Sequence, residues 1–428
     1  MTQTPAQELN PQIQIDTDRL WQRVTKLAEF TRTDTPWTRR AFTPLFIQAR
    51  QWLTKEFHAA GLEVRLDSAG NLIGRRAGRR PDAAPLVTGS HSDTVVGGGR
   101  FDGIIGVLAG LEIAQSMNEQ GLTTEHPFEV IDFLSEEPSD YGVSCVGSRA
   151  MAGVLTPAML AQTNPDDETL AAAIDRMGGS VTALGSAQRH PGGNAAFVEL
   201  HIEQGPVLES RSLPIGVVTN IVGIRRVTVR VNGRPDHAGT TPMDIRHDAL
   251  VGAACIITET SRQASDQTGK RDYVVATIGR LSLTPNVPNA VPGTVEMMLE
   301  VRSDNPAVLA SFPEQILENT ASSLTSLRLT AELQDVTRAA PTDCSPIVMK
   351  AVQQAAAAQG LDSMAMPSGA GHDAAYMAAL GPMGMIFVPC LDGRSHCPEE
   401  WIDPQQLADG VRVLYQTLLN LDRMLVAP

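Results

Sequence analysis

Four short apolar runs in this chain of 428 residues end in side chains able to bind a metal ion. "PLVTGS" is followed by His91 and Asp93, with Asp102 in the next loop. "FEVIDFL" leads to Glu136 and Glu137, "AAFVELHI" carries His201 and leads to Glu203 and Gln204, and the loop after "MGMIFVP" ends in His396. Histidines mixed with carboxylates are the nitrogen and oxygen donor set of zinc or a similar divalent ion. Two cations held close together need a shared anion, and one carboxylate can bridge them. Hydrolysis also needs a water of lowered pKa and a base for its proton. Two adjacent glutamates can divide that work, one ligating and one acting as base. In a His-x-Asp pair the aspartate can hold the imidazole's second nitrogen, as ligating histidines usually require.

Taken singly, these residues have plainer readings. A lone buried histidine is more often a hydrogen-bonded core residue, Asp102 could be only a helix cap, and Glu136-Glu137 could be a solvated loop. Their coincidence at four strand ends favours the metal reading. Two other candidates are weaker. "GGGRFDG" lacks the Lys-Ser/Thr of a phosphate loop and carries an acid that would repel an anion. Cys145 has no neighbouring histidine to activate it, which makes it a packed thiol.

The positioning elements follow from periodicity. Helices are expected over 18–33 and 43–60, then a strand–turn–strand around "DSAG", a strand at 85–90, and a helix that begins after Asp102 and ends at Gly121. Strands at 128–134 and within 195–205 continue an α/β pattern with a largely parallel sheet, whose ligands gather at the carboxyl ends of its strands. From about 216 the runs alternate apolar and polar. The order strand, helix, strand, strand, helix, strand is ferredoxin-like; its second helix, 305–324, is expected to be capped by Asp304, with Pro306 in its first turn. From 345 come a helix, a loop "MPSGAGHDAA", a strand at 383–389 and a helix at 404–424. The fold class is therefore α/β: a mixed, mostly parallel catalytic domain (1–215 and 336–428) with a ferredoxin-like domain, 216–335, inserted in it.

A net charge of −14 disfavours nucleic acid. No apolar run approaches the roughly 20 residues that span a bilayer, and the N-terminus has no signal-peptide pattern. Five scattered cysteines read as reduced thiols. A cytoplasmic protein is expected, without nucleic-acid or membrane partners.

The segments "GSHSDTVVGGGRFDGIIGV", "FLSEEPSDYGVSCVGSRAMAG", "HIEQGPVLE", "NGRPDHAGTTPM" and "SGAGHDA" resemble the M20 metallopeptidase clan, and within it the hydantoinase/carbamoylase amidase branch. That branch holds N-carbamoyl-L-amino-acid hydrolases, β-ureidopropionases and allantoate amidohydrolases. The likeness runs from about residue 18 to the C-terminus. It implies a zinc-peptidase-like catalytic domain with two divalent ions per subunit, zinc foremost, with manganese, cobalt or nickel as alternatives. His91 and His201 would hold one ion, Glu137 and His396 the other, and Asp102 would bridge. Glu136 would be the base that deprotonates the metal-activated water, and Asp93 would orient His91. The inserted domain would serve as lid and dimer contact, with His237 reaching the neighbouring subunit's site.

For the substrate, the resemblance implies that Arg302 and Asn289 hold a carboxylate, with Gln204, Ser368, Gly369 and His372 lining the pocket. A bidentate guanidinium suits a carboxylate. The implied reaction is hydrolysis of the ureido C–N bond of an N-carbamoyl amino acid or related ureido acid. Allantoate hydrolysis and N-acyl-amino-acid or peptide hydrolysis are the alternatives in the same fold. One departure bears on the substrate's side group: many relatives have glycine after the two glutamates, and this chain has Pro138, followed by Ser139 and Asp140.

Overall fold

The computed structural model describes residues 14–426. Most of the N-terminal stretch judged for a signal peptide lies outside the described residues. The chain forms two compact units. The first runs to Thr219 and takes in Cys344–Met366 and the chain from His372 onward; the second holds Asn220–Asp343 and the short segment Pro367–Gly371.

In the first unit, β1 (Glu63–Leu66) and β2 (Leu72–Arg76) form the expected hairpin, followed by β3 (Leu86–His91), β4 (Phe128–Phe133), β5 (Ala196–Ile202) and β6 (Ile215–Ile221). In the second come β7 (Gly223–Asn232), β8 (Val274–Thr284), β9 (Thr294–Ser303) and β10 (Thr330–Ala339). The chain returns through β11 (Thr342–Asp343), β12 (Ser363–Ser368) and β13 (Met383–Val388). The large sheet runs β1-β2-β4-β3-β5-β13-β6-β11, with β12 also on β6. Its centre, β4-β3-β5-β13, is parallel throughout. These four strands are buried along their whole length because both faces are covered, and their buried polar residues, among them Thr88, Ser90, Glu129, Asp132 and Glu199, interrupt otherwise apolar runs. Helix Ile104–Glu119 packs between them and helix Thr17–Ala28, and is itself buried almost all round.

The second unit is one antiparallel sheet, β10-β7-β9-β8, with helices Ala249–Ser265 and Pro306–Ser326 packed on it. That is the ferredoxin-like order expected from the alternating pattern. β7 and β9 alternate buried and half-buried residues, and the buried set (Val227, Val229, Val231, Val295, Met297, Leu299, Val301) forms the unit's core.

Two local expectations are corrected. The cap of helix Pro306–Ser326 is Asn305, whose side chain accepts from the Ala307 N–H at 2.9 Å. Asp304 instead accepts from the Tyr273 N–H, also at 2.9 Å. Of two adjacent capping-type residues, the tertiary partner decided the choice. The stretch expected as a loop around "MPSGAG" begins as strand β12, because β6 offers it an edge.

Candidate metal centre

Parallel strands point the same way, so the carboxyl ends of β3, β4, β5 and β13 share one edge of the sheet. β3 ends on His91, β5 carries His201 as its penultimate residue, Glu136 and Glu137 follow β4, and His396 follows β13. Asp102 sits in the loop before helix Ile104–Glu119. It is not the cap: that position is Gly103, which makes no side-chain cap bond. Gly103 has φ +69°, and a Cβ there would lie 2.3 Å from Nε2 of His91. Only glycine lets the helix start this close to the histidine.

Asp102 divides its two oxygens between histidines. Oδ1 lies 3.1 Å from His201 Nε2 and 3.6 Å from His91 Nε2. Oδ2 lies 3.1 Å from His396 Nε2, which is also 3.1 Å from Glu137 Oε1. Among the described residues three groups could hold an ion: His91–Asp102–His201 and Asp102–Glu137–His396, which share the Asp102 carboxylate, and Glu199–His201–His372. The ring orientations suit ligation. His91 Nδ1 meets the Asp93 main-chain carbonyl at 3.0 Å and His201 Nδ1 that of Ile202 at 2.9 Å. With Nδ1 turned to a main-chain carbonyl, the Nε2 atom of each ring faces Asp102, where it would ligate an ion once its proton is displaced.

Asp93 therefore meets His91 mainly through its backbone, its carboxylate standing 3.6 Å from Nδ1. The carboxylate accepts instead from the main-chain N–H of Glu136 (3.3 Å) and Glu137 (3.2 Å), tying the glutamate loop to the end of β3. Buried Arg39 fixes the residue between, donating to the Ser92 carbonyl at 2.8 Å.

Asp93, Asp102, Glu136, Glu137, Glu199 and Asp373 are all buried, and among the described residues none pairs with lysine or arginine. Buried carboxylates without a fixed cation are costly, and they favour protons or metal ions. Burial pushes the Glu136 carboxyl well above its usual range; the His91 charge opposes this and Glu137, Asp373 and Asp93 add to it. Asp102 goes the other way: burial raises it, but bonds to His201, His396 and His91 outweigh that and hold it well below. His396, half-exposed at the rim, is pushed up to about 11 by its bonds to Asp102 and Glu137. A divalent ion satisfies the same demand with the Nε2 lone pairs, so this donor set fits one.

The remaining expected residues divide between the units. Gln204 Nε2 donates to Asp102 Oδ2 at 2.7 Å, leaving its buried Oε1 without a hydrogen-bond partner. His372 is buried and packs edge-on against His201, with ring centroids 4.6 Å apart. Burial, then the His201 charge, holds it well below the usual histidine range, so it is neutral. Glu203 faces away, accepting from the N–H groups of Val207 and Leu208. Asp140 pairs with Arg40, which also bonds the Pro138 carbonyl. His237, Asn289, Arg302, Ser368 and Gly369 belong to the second unit. There His237 bridges to Ala290, beside Asn289. Its Nδ1 accepts from Gly239 and Thr240 N–H groups, so its hydrogen stands on Nε2. Arg302 grips Glu300 and donates to the Gly369 carbonyl at 2.7 Å. Ser368 Oγ turns onto Ala370.

Cys145, read from the sequence as a packed thiol, lies against the glutamate loop, and two neighbouring acids, Glu199 and Asp373, were not singled out from the sequence. Cys145 donates its thiol to Glu136 Oε1 at 3.3 Å. Glu199 accepts from Ser90 Oγ at 2.6 Å, and Asp373 accepts from Ser148 Oγ. Glu199 had a readable signal: an acid inside a mostly apolar strand, two residues before His201 and so on the same face.

Comparison with known proteins adds to this. Residues 83–420 match the family described as Peptidase family M20/M25/M40. An N-carbamoyl-L-amino acid amidohydrolase of Geobacillus stearothermophilus is 41% identical over 415 residues, covering 95% of this chain and 99% of that protein. An allantoate amidohydrolase of Bacillus subtilis is 33% identical over 387 residues, 90% of this chain and 92% of that protein. A crystal structure of a hydantoinase/carbamoylase-family amidase from Burkholderia multivorans superposes with TM-score 0.87 at 36% identity, over 96% of this chain and 99% of that one.

Proposed function

The chain belongs to peptidase family M20/M25/M40, and from that membership we propose that it hydrolyses the ureido C–N bond of N-carbamoyl amino acids. The observation that carries this reading is the Asp102 carboxylate, bracketed on separate oxygens by His201 and His396, with buried Glu136 close by. The ions it calls for are two, one on His91, Asp102 and His201 and one on Asp102, Glu137 and His396. Divalent ions held there would lower the pKa of a water and polarise the ureido carbonyl.

The chain's own residues carry the rest. Glu136 is a carboxylate whose proton affinity burial has raised, which suits a base that must also give the proton back. It takes a proton from water as the water oxygen adds to the ureido carbon. It then delivers that proton to the leaving nitrogen as the C–N bond breaks. The carbamate fragment falls to ammonia and carbon dioxide, leaving the amino acid. Arg302 and Asn289 would hold the substrate carboxylate.

His237 would donate its Nε2 hydrogen to the developing oxyanion of a partner subunit's substrate. A homodimer through the second unit is supported by apolar side chains left exposed there. Leu250, Val251 and Ile257 lie on helix Ala249–Ser265, and Val275 and Leu281 on the sheet-edge strand β8. Unpaired edges with exposed apolar residues invite a partner. Among the described residues, no helix is long and apolar enough to cross a membrane.

The test is a substrate panel on metal-reconstituted protein: N-carbamoyl α- and β-amino acids, allantoate and N-acyl amino acids. Cleavage of N-carbamoyl amino acids is expected. Cleavage of acyl compounds alone would overturn the ureido reading.

A further inference from the structure

The loop that carries Asp102 is clamped by a residue far away in the chain. Glu400 is fully buried. Its Oε1 accepts from the main-chain N–H of Phe101 (2.8 Å) and of Asp102 (3.1 Å). Its Oε2 lies 2.7 Å from Ser395 Oγ, and that hydroxyl lies 2.8 Å from Asp102 Oδ2. One carboxylate thus holds the Asp102 backbone directly, and the Ser395 hydroxyl, which donates to one carboxylate at a time, stands between its Oε2 and Asp102 Oδ2. The fit is tight: a Cβ on Gly99 would fall 1.8 Å from Glu400 Oε1. Around it, Trp401 meets Phe101 edge-on, and the Arg100 guanidinium lies over the rings of Trp37 and Trp401.

Glu400 pairs with no lysine or arginine among the described residues, so its burial brings no ion-pair energy to offset its desolvation. Its hydrogen bonds all go to the Asp102 loop and to Ser395. We infer that Glu400 and Ser395 are positioning residues that set the rotation of the Asp102 carboxylate, so that each oxygen faces its own histidine. This rests on the two-ion reading given above. Without Ser395, Oδ2 keeps only Gln204 and His396 and the carboxylate is free to turn. Without Glu400, the 99–102 loop loses the acceptor for two N–H groups.

The test uses the full chain, stripped of metal, titrated with zinc or manganese by calorimetry. Ser395→Ala and Glu400→Ala should each weaken ion binding about 10- to 100-fold, as loss of outer partners of metal ligands usually does. Glu400→Gln keeps an oxygen for both N–H groups and should stay closer to wild type than Glu400→Ala. In turnover assays the Ser395→Ala defect should fall on kcat, with KM little changed. Ser395→Ala removes only a hydroxyl, so it decides the matter even if Glu400→Ala fails to fold. Ion binding by Ser395→Ala at wild-type affinity overturns the positioning role while leaving the metal reading intact. So does a Glu400→Gln loss equal to that of Glu400→Ala. Wild-type protein that binds no divalent ion overturns both.

Discussion

The thiol of Cys145 donates to Oε1 of Glu136 across 3.3 Å, so the candidate base is held by a cysteine nine residues along the chain. Burial, followed by the charges of Glu136 and Asp373, pushes this thiol well above its usual range. The thiolate is the reactive form. Iodoacetamide at neutral pH should therefore label the half-buried Cys255 and Cys397 while sparing Cys145, read by peptide mass mapping. Rapid labelling of Cys145 in the folded protein would contradict its environment.

Glu136→Gln removes the proton acceptor but keeps the shape. Turnover should fall on the order of 100- to 10,000-fold. Metal content should be unchanged, since the donors assigned to the ions are His91, Asp102, Glu137, His201 and His396. Elemental analysis beside steady-state kinetics checks both halves. Retained turnover would remove Glu136 from the mechanism.

Metal uptake should release protons. In the ion-free chain His396 is held at about 11 by Asp102 and Glu137, and His91 well above its usual value: burial there is outweighed by its bond to Asp102 and the Glu136 charge. Near neutral pH both rings are protonated, and an ion must displace those protons. Affinity should therefore rise with pH and fall as pH drops. Calorimetry in buffers of different ionisation enthalpy measures the release directly; identical heats across buffers would rule it out.

If His237 serves a partner's site, two dead variants should rescue one another. Glu136→Gln and His237→Ala homodimers should each be nearly inactive. Random subunit exchange makes half the dimers mixed, and each mixed dimer regains one intact site, giving about a quarter of wild-type activity. Light scattering should meanwhile find a dimer for wild type and a monomer for a variant carrying Ile257→Glu and Leu281→Glu. Absence of complementation in mixed dimers would place His237 in its own subunit's service or in none.

Arg50 and Asp132 form a buried ion pair under the glutamate loop, Nε to Oδ2 at 2.9 Å. Removing one charge strands the other. Asp132→Ala should lower unfolding stability by about 3–5 kcal/mol. Replacing both residues with leucine should recover much of that. Denaturant unfolding decides; a loss below about 1 kcal/mol would mean that water reaches Arg50.

How legible all this was depended on locality. His91, His201 and the Glu136-Glu137 pair stand at or just beyond the ends of apolar strands, so their types and the strand pattern pointed to one sheet edge before any geometry was known. Asp102 and His396 sit in the loops beyond two of those strands and were read with them as metal-type donors; which ion each would serve came from the resemblance. Glu400 and Ser395 gave no signal, because what they do depends on a backbone almost three hundred positions earlier. Asp304 and Asn305 could not be ranked as caps, since only the Tyr273 backbone separates them. β12 was hidden by its proline and the glycines after it; a strand there needs β6 alongside, and that pairing is invisible to a window of adjacent residues.

Ser395 is 293 residues downstream of Asp102. A nascent chain still lacking its final segment owns His91, Asp102, Glu137 and His201 but no clamp and no His396. On the proposed two-ion reading, such a chain would offer the donors of one site and lack the His396 of the other. Filling of the second site would then wait for completion of synthesis, and clipped products would lack it.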